Sequence, residues 1–332
     1  MIETQAHPDI LVTGARGFVG AALVQSLRAA GFRVRAGARR PEPGRNDLAA
    51  CDLDDADQTR AAVAGCSLVI HAAYGDLGAM PTQCATLISA MEAAGVPSLI
   101  HFSSIAVYGE ATGAISETAP HGDGLDDYAG AKSACEDIVR QWAEHPAATE
   151  RRALILRPGI VYGAGSRFWI DKLVERIRAD AWGTFGSAGE GEAALIHIDD
   201  LCRLVELATQ RLLSGTCSTW PRATALNAVG PETPSWNAYF EALASRIGAA
   251  PLPSVGGAAV ATRQVGAVAA KVWRKFGLPG GAALALAPTP GEMALFARKA
   301  RYLTQTAEDL LGFVAQVGLQ DGLARSFPQA KA

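Results

Sequence analysis

The stretch TGARGFVG, residues 13 to 20, constrains this chain more than any other eight residues. It sets three glycines, Gly14, Gly17 and Gly20, between the apolar run DILV and the apolar-periodic AALVQSLRAAG. That order predicts a strand, a tight turn and a helix. Gly14 permits the turn, Gly17 lets backbone N–H groups approach an anion, and Gly20 lets the helix pack closely. A helix N-terminus offers unpaired N–H groups and partial positive charge, so the turn reads as a cradle for the pyrophosphate of a dinucleotide.

The rest of the first half keeps the same rhythm. FRVRAGAR, LAACDL, SLVIHAA, SLIHFSS and RALILRP are strand-like and alternate with helix-like Asp55–Ala64, Pro81–Ala94 and Asp126–His145. Near-continuous apolar strands between helices predict an α/β fold, a Rossmann-type doubly wound parallel sheet covered on both faces. After Gly165 the pattern changes to a helix over Phe168–Ala179, the glycine-rich GTFGSAGEGE, the short run LIHI, a helix over Asp199–Leu213, and ALNAVG, which can rejoin the sheet. Helices punctuated by Pro and Gly dominate beyond Pro231. The expected organisation is a dinucleotide-binding domain from 1–165 plus about 196–230, and a smaller, interleaved, mainly helical substrate or lid domain from about 166–195 and 231–332. The cleft falls at the carboxyl ends of the strands.

Where an NAD-binding strand carries an acid for the ribose hydroxyls, about 20 positions past the turn, this chain has Ala38 followed by Arg39 and Arg40. With Arg16 inside the turn, these cations suit a 2′-phosphate held in forked hydrogen bonds, which favours NADP with NAD possible. The alternatives are solvated surface arginines and a displaced acid at Glu42.

A formal charge of −3 over 332 residues gives no broad basic surface, which argues against nucleic acid or an anionic membrane as partner. The opening MIETQAHPDI lacks a basic and apolar leader, no apolar run reaches membrane-spanning length, and Val255–Trp273 is interrupted by Arg263, Gln264 and Lys271. A cytoplasmic protein is expected. Six scattered cysteines (51, 66, 84, 135, 202, 217) predict reduced, buried thiols and no metal site.

SSIAVYGE (103–110) and YAGAK (128–132) bring a resemblance into view, supported by CDL (51–53), VIHAA (69–73), LRPGIVYG (156–163), IHIDDL (196–201) and the late DLLGF. In this order and spacing they resemble the extended short-chain dehydrogenase/reductases, the NAD-dependent epimerase/dehydratase superfamily, over nearly the whole chain. The resemblance implies that Gly14, Gly17, Phe18, Val19 and Gly20 line the pyrophosphate, with Asp52 and Leu53 at the adenine. Ala72 and Ala73 would pass behind the cofactor, and Pro158, Gly159 and Ile160 would flank the nicotinamide. Arg16, just before the second glycine, is similar to a feature of NADP-using members, and Arg39 matches the position after the acid of NAD-using relatives.

Tyr128 and Lys132 stand four apart on a predicted helix and so emerge on one face. Reducing a carbonyl leaves an alkoxide that needs a proton, and a phenol of pKa about 10 is too weak an acid alone. An ammonium about 4 Å away at an effective dielectric of 20 is worth about 4 kcal/mol, or about three pKa units, enough to bring the phenol near 7. Ser104, at a strand end, would hold the reacting oxygen. The resemblance assigns the same roles to Ser104, Tyr128 and Lys132, adds that Lys132 holds the nicotinamide ribose, and implies a homodimer through Leu87–Ala94 and Asp126–Trp142. Ser103 competes with Ser104.

Departures from the family narrow the substrate. Dehydratases carry adjacent acids where this chain has Ile105 and Ala106, and sugar-nucleotide enzymes tend to carry an arginine where it has Ala193, although Arg167, Lys172 or Arg203 could substitute. The segment after HAA is short, and Met80 replaces a common asparagine. The C-terminal third resembles the lids of the dihydroflavonol-reductase and hydroxysteroid-dehydrogenase branch. The expectation is carbonyl/alcohol interconversion on a small or moderately apolar substrate. The alternatives are a nucleotide-sugar epimerase or reductase and a non-catalytic NADP-binding sensor or scaffold. His71 and His101 read as buried or edge residues, Asp199 or Asp200 as a helix cap, and Phe168 and Trp169 as core or substrate contacts.

Overall fold

The computed structural model describes residues 10–41, 47–256 and 287–327. Glu42, and the part of the lid-like C-terminal stretch between 257 and 286, lie outside them. Seven strands run parallel: β1 (Ile10–Thr13), β2 (Val34–Ala38), β3 (Leu48–Ala50), β4 (Leu68–His71), β5 (Ser98–Phe102), β7 (Arg152–Pro158) and β10 (Ala223–Ala228). They lie in the order β3-β2-β1-β4-β5-β7-β10. ALNAVG therefore does rejoin the sheet, in register with β7 from Ala223 opposite Ala153 to Ala228 opposite Pro158.

The strands are apolar on both sides because both sides are covered. Val12, Ile70, Ile100 and Leu154 face one core with α1 (Phe18–Ala29), α6 (Ile198–Leu213) and α9 (Gln305–Leu311). Leu11, Val69, Leu99 and Ala153 face the other with α2 (Ala56–Val63), α3 (Met80–Ala94) and α4 (Asp127–Ala143). Asp55 and Asp126 start α2 and α4 by accepting from first-turn amides, as short polar side chains do at helix N-termini.

A second core has its own chemistry. Trp182 meets Phe185 and Phe240 edge-to-face at 5.2 and 5.3 Å, and Trp236 lies 4.8 Å from Phe296. These rings gather α5 (Lys172–Arg178), α7 (Trp236–Arg246) and α8 (Pro290–Ala297). Buried Arg176 is tolerated there because Glu292 takes it at 2.8 Å and its guanidinium sits 4.3 Å over Trp182. Two short parallel pairs complete the fold: β8 (Ile160–Tyr162) with β9 (Leu195–His197), and β6 (Gly113–Ile115) with β11 (Ala300–Tyr302).

Two local expectations are corrected. The helix over Phe168–Ala179 opens as a wide turn, Arg167–Asp171, before α5. The cap of α6 is His197, whose Nδ1 accepts from the Asp199 amide at 3.2 Å. Asp200 instead accepts the amides of Gln316 and Val317, and Asp199 pairs with Arg325, so both acids tie the C-terminal segment to α6.

Candidate active site

The glycine turn is built by contact. Gly14 has φ +70°, and a side chain there would meet the Ala73 backbone at 2.7 Å. A Cβ on Gly20 would stand 2.2 Å from the Gly14 carbonyl oxygen, so Gly20 lets α1 pack on the turn itself. Thr13 fastens this corner: its hydroxyl lies 2.9 Å from His71 Nδ1 and accepts the Ala73 amide at 3.3 Å. Ala72 and Ala73 thus run directly behind the turn. Helix α1 begins at Gly17 with no side-chain cap, whereas α2, α4, α6 and α7 are each closed by one. Half-buried Phe18 and Val19 and buried Gly20 occupy that uncapped first turn. Open first-turn amides beside backbone that no side chain can fill suit a pyrophosphate.

Arg16 donates to the carbonyl of Arg40 at 3.0 Å. That bond draws the turn's arginine to the loop after β2, where Arg39 and Arg40 are exposed. Ala38, at the acid's place, is buried. Asp52 is half-buried and Leu53 buried just past β3. Pro158 ends β7. Gly159 donates to Ala228 and Ile160 to Ala194, and a Cβ on Gly159 would lie 2.1 Å from the Ala194 carbonyl. Gly159 is therefore required by the crossing of two backbones.

The chemistry-bearing trio gathers at the ends of β5 and α4. Ser104 follows β5 and accepts the Ala106 amide at 3.1 Å, and its hydroxyl lies near enough to the Tyr128 phenol to oppose the effect of burial on it. Ser103 turns the other way, against the buried carboxylate of Glu136. Lys132 is 5% exposed and donates to the Phe102 carbonyl at 2.6 Å.

One electrostatic expectation is corrected here. Burial pushes the Tyr128 phenol above 10, with the Ser104 hydroxyl opposing. The lysine does not draw it toward 7, because the Lys132 stem folds down to Phe102; burial lowers Lys132 itself to about 8.

Beneath the trio lies a network that no sequence motif marks. Arg157 grips Glu136 with Nε at 2.8 Å and Nη2 at 2.6 Å, and donates to Tyr108 Oη at 2.8 Å; Tyr108 donates onward to Asn227 at 2.7 Å. Glu136 is fully buried and Arg157 is 1% exposed. Burial would raise the Glu136 carboxyl, but Arg157 overrides it and holds the group at about 2. An arginine inside the apolar RALILRP and a glutamate one turn past Lys132 were the available signals.

Of the residues considered for other roles, Trp169 packs on Trp236 at 5.4 Å, while Phe168 is 64% exposed. Ala193 is wholly buried in the second core. Lys172 pairs with Glu292, and Arg203 pairs with Asp200 and stacks on Phe313, so two of the three substitute cations are engaged elsewhere. His71 and His101 are in-register neighbours on β4 and β5, and burial holds His71 at about 3. Their nearness to Cys84 makes the three a compact buried group.

The seven-stranded parallel sheet and the uncapped glycine turn define an α/β protein of the dinucleotide-binding type. The model of the NAD dependent epimerase/dehydratase family matches residues 10–218, and the chain belongs to that family, an enzyme of the NAD(P)-dependent, extended short-chain dehydrogenase/reductase type.

Among curated proteins it is similar to a 2-alkyl-3-oxoalkanoate reductase of Stenotrophomonas maltophilia, 27% identical over 95% of this chain and 97% of the relative. It is also 26% identical to N-acetyl-alpha-D-glucosaminyl-diphospho-ditrans,octacis-undecaprenol 4-epimerase of Escherichia coli O157:H7, over 63% of this chain. The matches span 65% and 48% of two further-reaching curated relatives, that epimerase and a reductase of the same name as the first from Shewanella oneidensis. Among solved structures, MoeE5 in complex with UDP-glucuronic acid and NAD is 26% identical, with a TM-score of 0.69 and coverage of 96% of this chain and 97% of that one.

Proposed function

We propose that the protein is an NADP-preferring oxidoreductase that interconverts a ketone or aldehyde and an alcohol on a small or moderately apolar substrate. The observation that carries the reading is the gathering of Ser104, Tyr128 and buried Lys132 where β5 ends and α4 begins. When bound, the nicotinamide supplies or takes up the hydride. The amides of α1's first turn, with Gly14, Gly17 and Gly20, would hold the pyrophosphate, and Asp52 and Leu53 the adenine end. Ala72, Ala73 and Pro158 to Ile160 would border the nicotinamide half. Arg16 and Arg39 would grip a 2′-phosphate.

In the reductive direction Ser104 Oγ–H donates to the substrate oxygen, and Tyr128 Oη–H delivers the proton as negative charge develops there. Lys132, held on the Phe102 carbonyl, is the residue to reach the ribose when the cofactor is bound. Residues 1–165 plus about 196–230 would form the dinucleotide domain, and 166–195 with 231–332 the substrate domain.

Buried Ala193 and the engaged Lys172 and Arg203 speak against a diphosphate clamp. The second reading, a nucleotide-sugar epimerase, is favoured by the likeness to MoeE5 and the undecaprenol-linked 4-epimerase. Its discriminating test is thermal-shift screening, in which a large stabilisation by nucleoside diphosphate sugars overturns the reductase reading. The reductase reading itself is tested by Tyr128→Phe. NADPH-dependent ketone reduction should fall about 10²- to 10⁴-fold; unchanged turnover removes Tyr128 from the acid-base role, and no turnover in the unmodified protein favours a non-catalytic sensor. A homodimer across the outer faces of α3 and α4 is part of the proposal, and a monomer on sedimentation at micromolar concentration contradicts it. A cytoplasmic setting is supported by six buried cysteines that form no disulfide; among the described residues no helix is long and apolar enough to cross a membrane.

A further inference from the structure

Tyr74 stands just past β4, where the chain leaves the sheet behind the glycine turn. Its backbone is pinned on both sides. Ahead of it, Ala73 N–H is held by Thr13 at 3.3 Å; behind it, Asp76 accepts from Ala79 at 3.1 Å through its side chain and from Met80 at 3.1 Å through its carbonyl. Yet the ring is 64% exposed. Exposure of a single ring is ordinary in itself; what distinguishes Tyr74 is the residue it faces. It is one of four large exposed hydrophobic side chains among the described residues.

What it faces is specific. The ring centroids of Tyr74 and Tyr128 are 6.0 Å apart with an interplanar angle of 64°, so the two rings form an open corner. The Ser104 hydroxyl lies close to the Tyr128 phenol at this corner. A carbonyl oxygen placed on those two hydroxyls carries its neighbouring substituent against Tyr74. An aromatic face favours a flat apolar partner over a puckered one of equal size, because stacking needs planes that can approach.

We propose that Tyr74 is a specificity-determining residue that forms the wall of the substrate mouth and selects carbonyl compounds bearing a flat, aryl or conjugated, group next to the reacting carbon. This rests on the carbonyl-reductase reading of the site. It adds a substrate class to that reading and assigns the class to one side chain outside the Ser104, Tyr128 and Lys132 set.

The test uses two ketones of matched size, acetophenone with its flat ring and cyclohexyl methyl ketone with its puckered one. Their binding to the full-length protein saturated with NADP⁺ is measured by titration calorimetry, so no turnover intervenes. The unmodified protein should bind acetophenone more tightly. Tyr74→Ala should weaken acetophenone roughly two- to tenfold and bring the two ketones level, while Tyr74→Phe, which keeps the ring, should retain the preference. Because Tyr74 is exposed, all three proteins should melt together. The proposal is overturned if neither ketone binds, if the unmodified protein does not prefer acetophenone, or if the preference survives Tyr74→Ala. Failure of the reductase reading shows elsewhere, as absent NADPH-dependent turnover in the unmodified protein, and leaves these binding constants standing.

Discussion

Lys132 donates from its ammonium to the Phe102 carbonyl at 2.6 Å. Burial outweighs the upward pull of nearby Cys135, Cys84 and Glu136 and lowers its pKa from 10.5 to about 8. The charged form is penalised below pH 8, by about 3 kcal/mol, and the penalty disappears as pH rises to 10.5, where the unfolded chain has also lost its proton. Lys132→Met should thus melt at or above the parent at pH 7 while losing activity. Its advantage should vanish between pH 8 and 10.5. A variant that melts far below the parent at neutral pH would contradict this account.

Glu136 shows the opposite balance. Its carboxyl, drawn from 4.5 to about 2 by Arg157 against the pull of burial, contributes stability that is present above pH 4.5 and lost as pH falls toward 2, about 3 kcal/mol in all. Arg157→Met leaves the buried carboxylate to Arg140 at 3.2 Å and His121 at 3.0 Å, so the loss should stay at or below the about 3–5 kcal/mol of a buried pair stripped of its partner. Denaturant melts of the single variant and of Glu136→Gln with Arg157→Met check this, the double variant recovering part of the loss.

On the proposed reading, Arg16 and Arg39 carry the preference for NADP. If each makes a charged hydrogen bond to the 2′-phosphate, worth about 1.5–3 kcal/mol, then removing both should lower the NADP-to-NAD affinity ratio at least tenfold, with NAD binding little changed. Titration of Arg16→Ala with Arg39→Ala measures it. An unchanged ratio sinks the NADP assignment and leaves the family membership intact.

Two glycines should respond in opposite ways to one methyl group. At Gly20 the added carbon would sit 2.2 Å from a backbone oxygen, so Gly20→Ala must open the turn and abolish dinucleotide binding. At Gly130, inside α4, nothing lies within 4 Å. Gly130→Ala should raise stability by about 0.5–1 kcal/mol, read by thermal melting.

The sheet was legible because its strands are apolar on both faces and its punctuation is glycine, as at Gly14 and Gly20. The site was legible where spacing alone places side chains: Tyr128 and Lys132 share a helix face whatever their neighbours do. Spacing says nothing of where a flexible stem ends, so Lys132 was expected at the phenol and lies on Phe102. His197 escaped notice as a cap because imidazole seldom closes a helix, and two adjacent aspartates drew the eye. Arg157 and Glu136 are 21 residues apart, on a strand and a helix, and only the packing of α4 on β7 joins them. Tyr74 lay in a segment whose shortness was visible but whose course was not.

The outermost strand, β10, is made from residues 223–228, while its partner β7 ends at residue 158. During synthesis β7 must wait with a bare row of amides and carbonyls until the ribosome has passed residue 228. Such an edge recruits any strand within reach. Premature stops in this interval should therefore yield inclusion bodies in place of a smaller working enzyme, and the growing chain should be a client of chaperones until its last strand zips home.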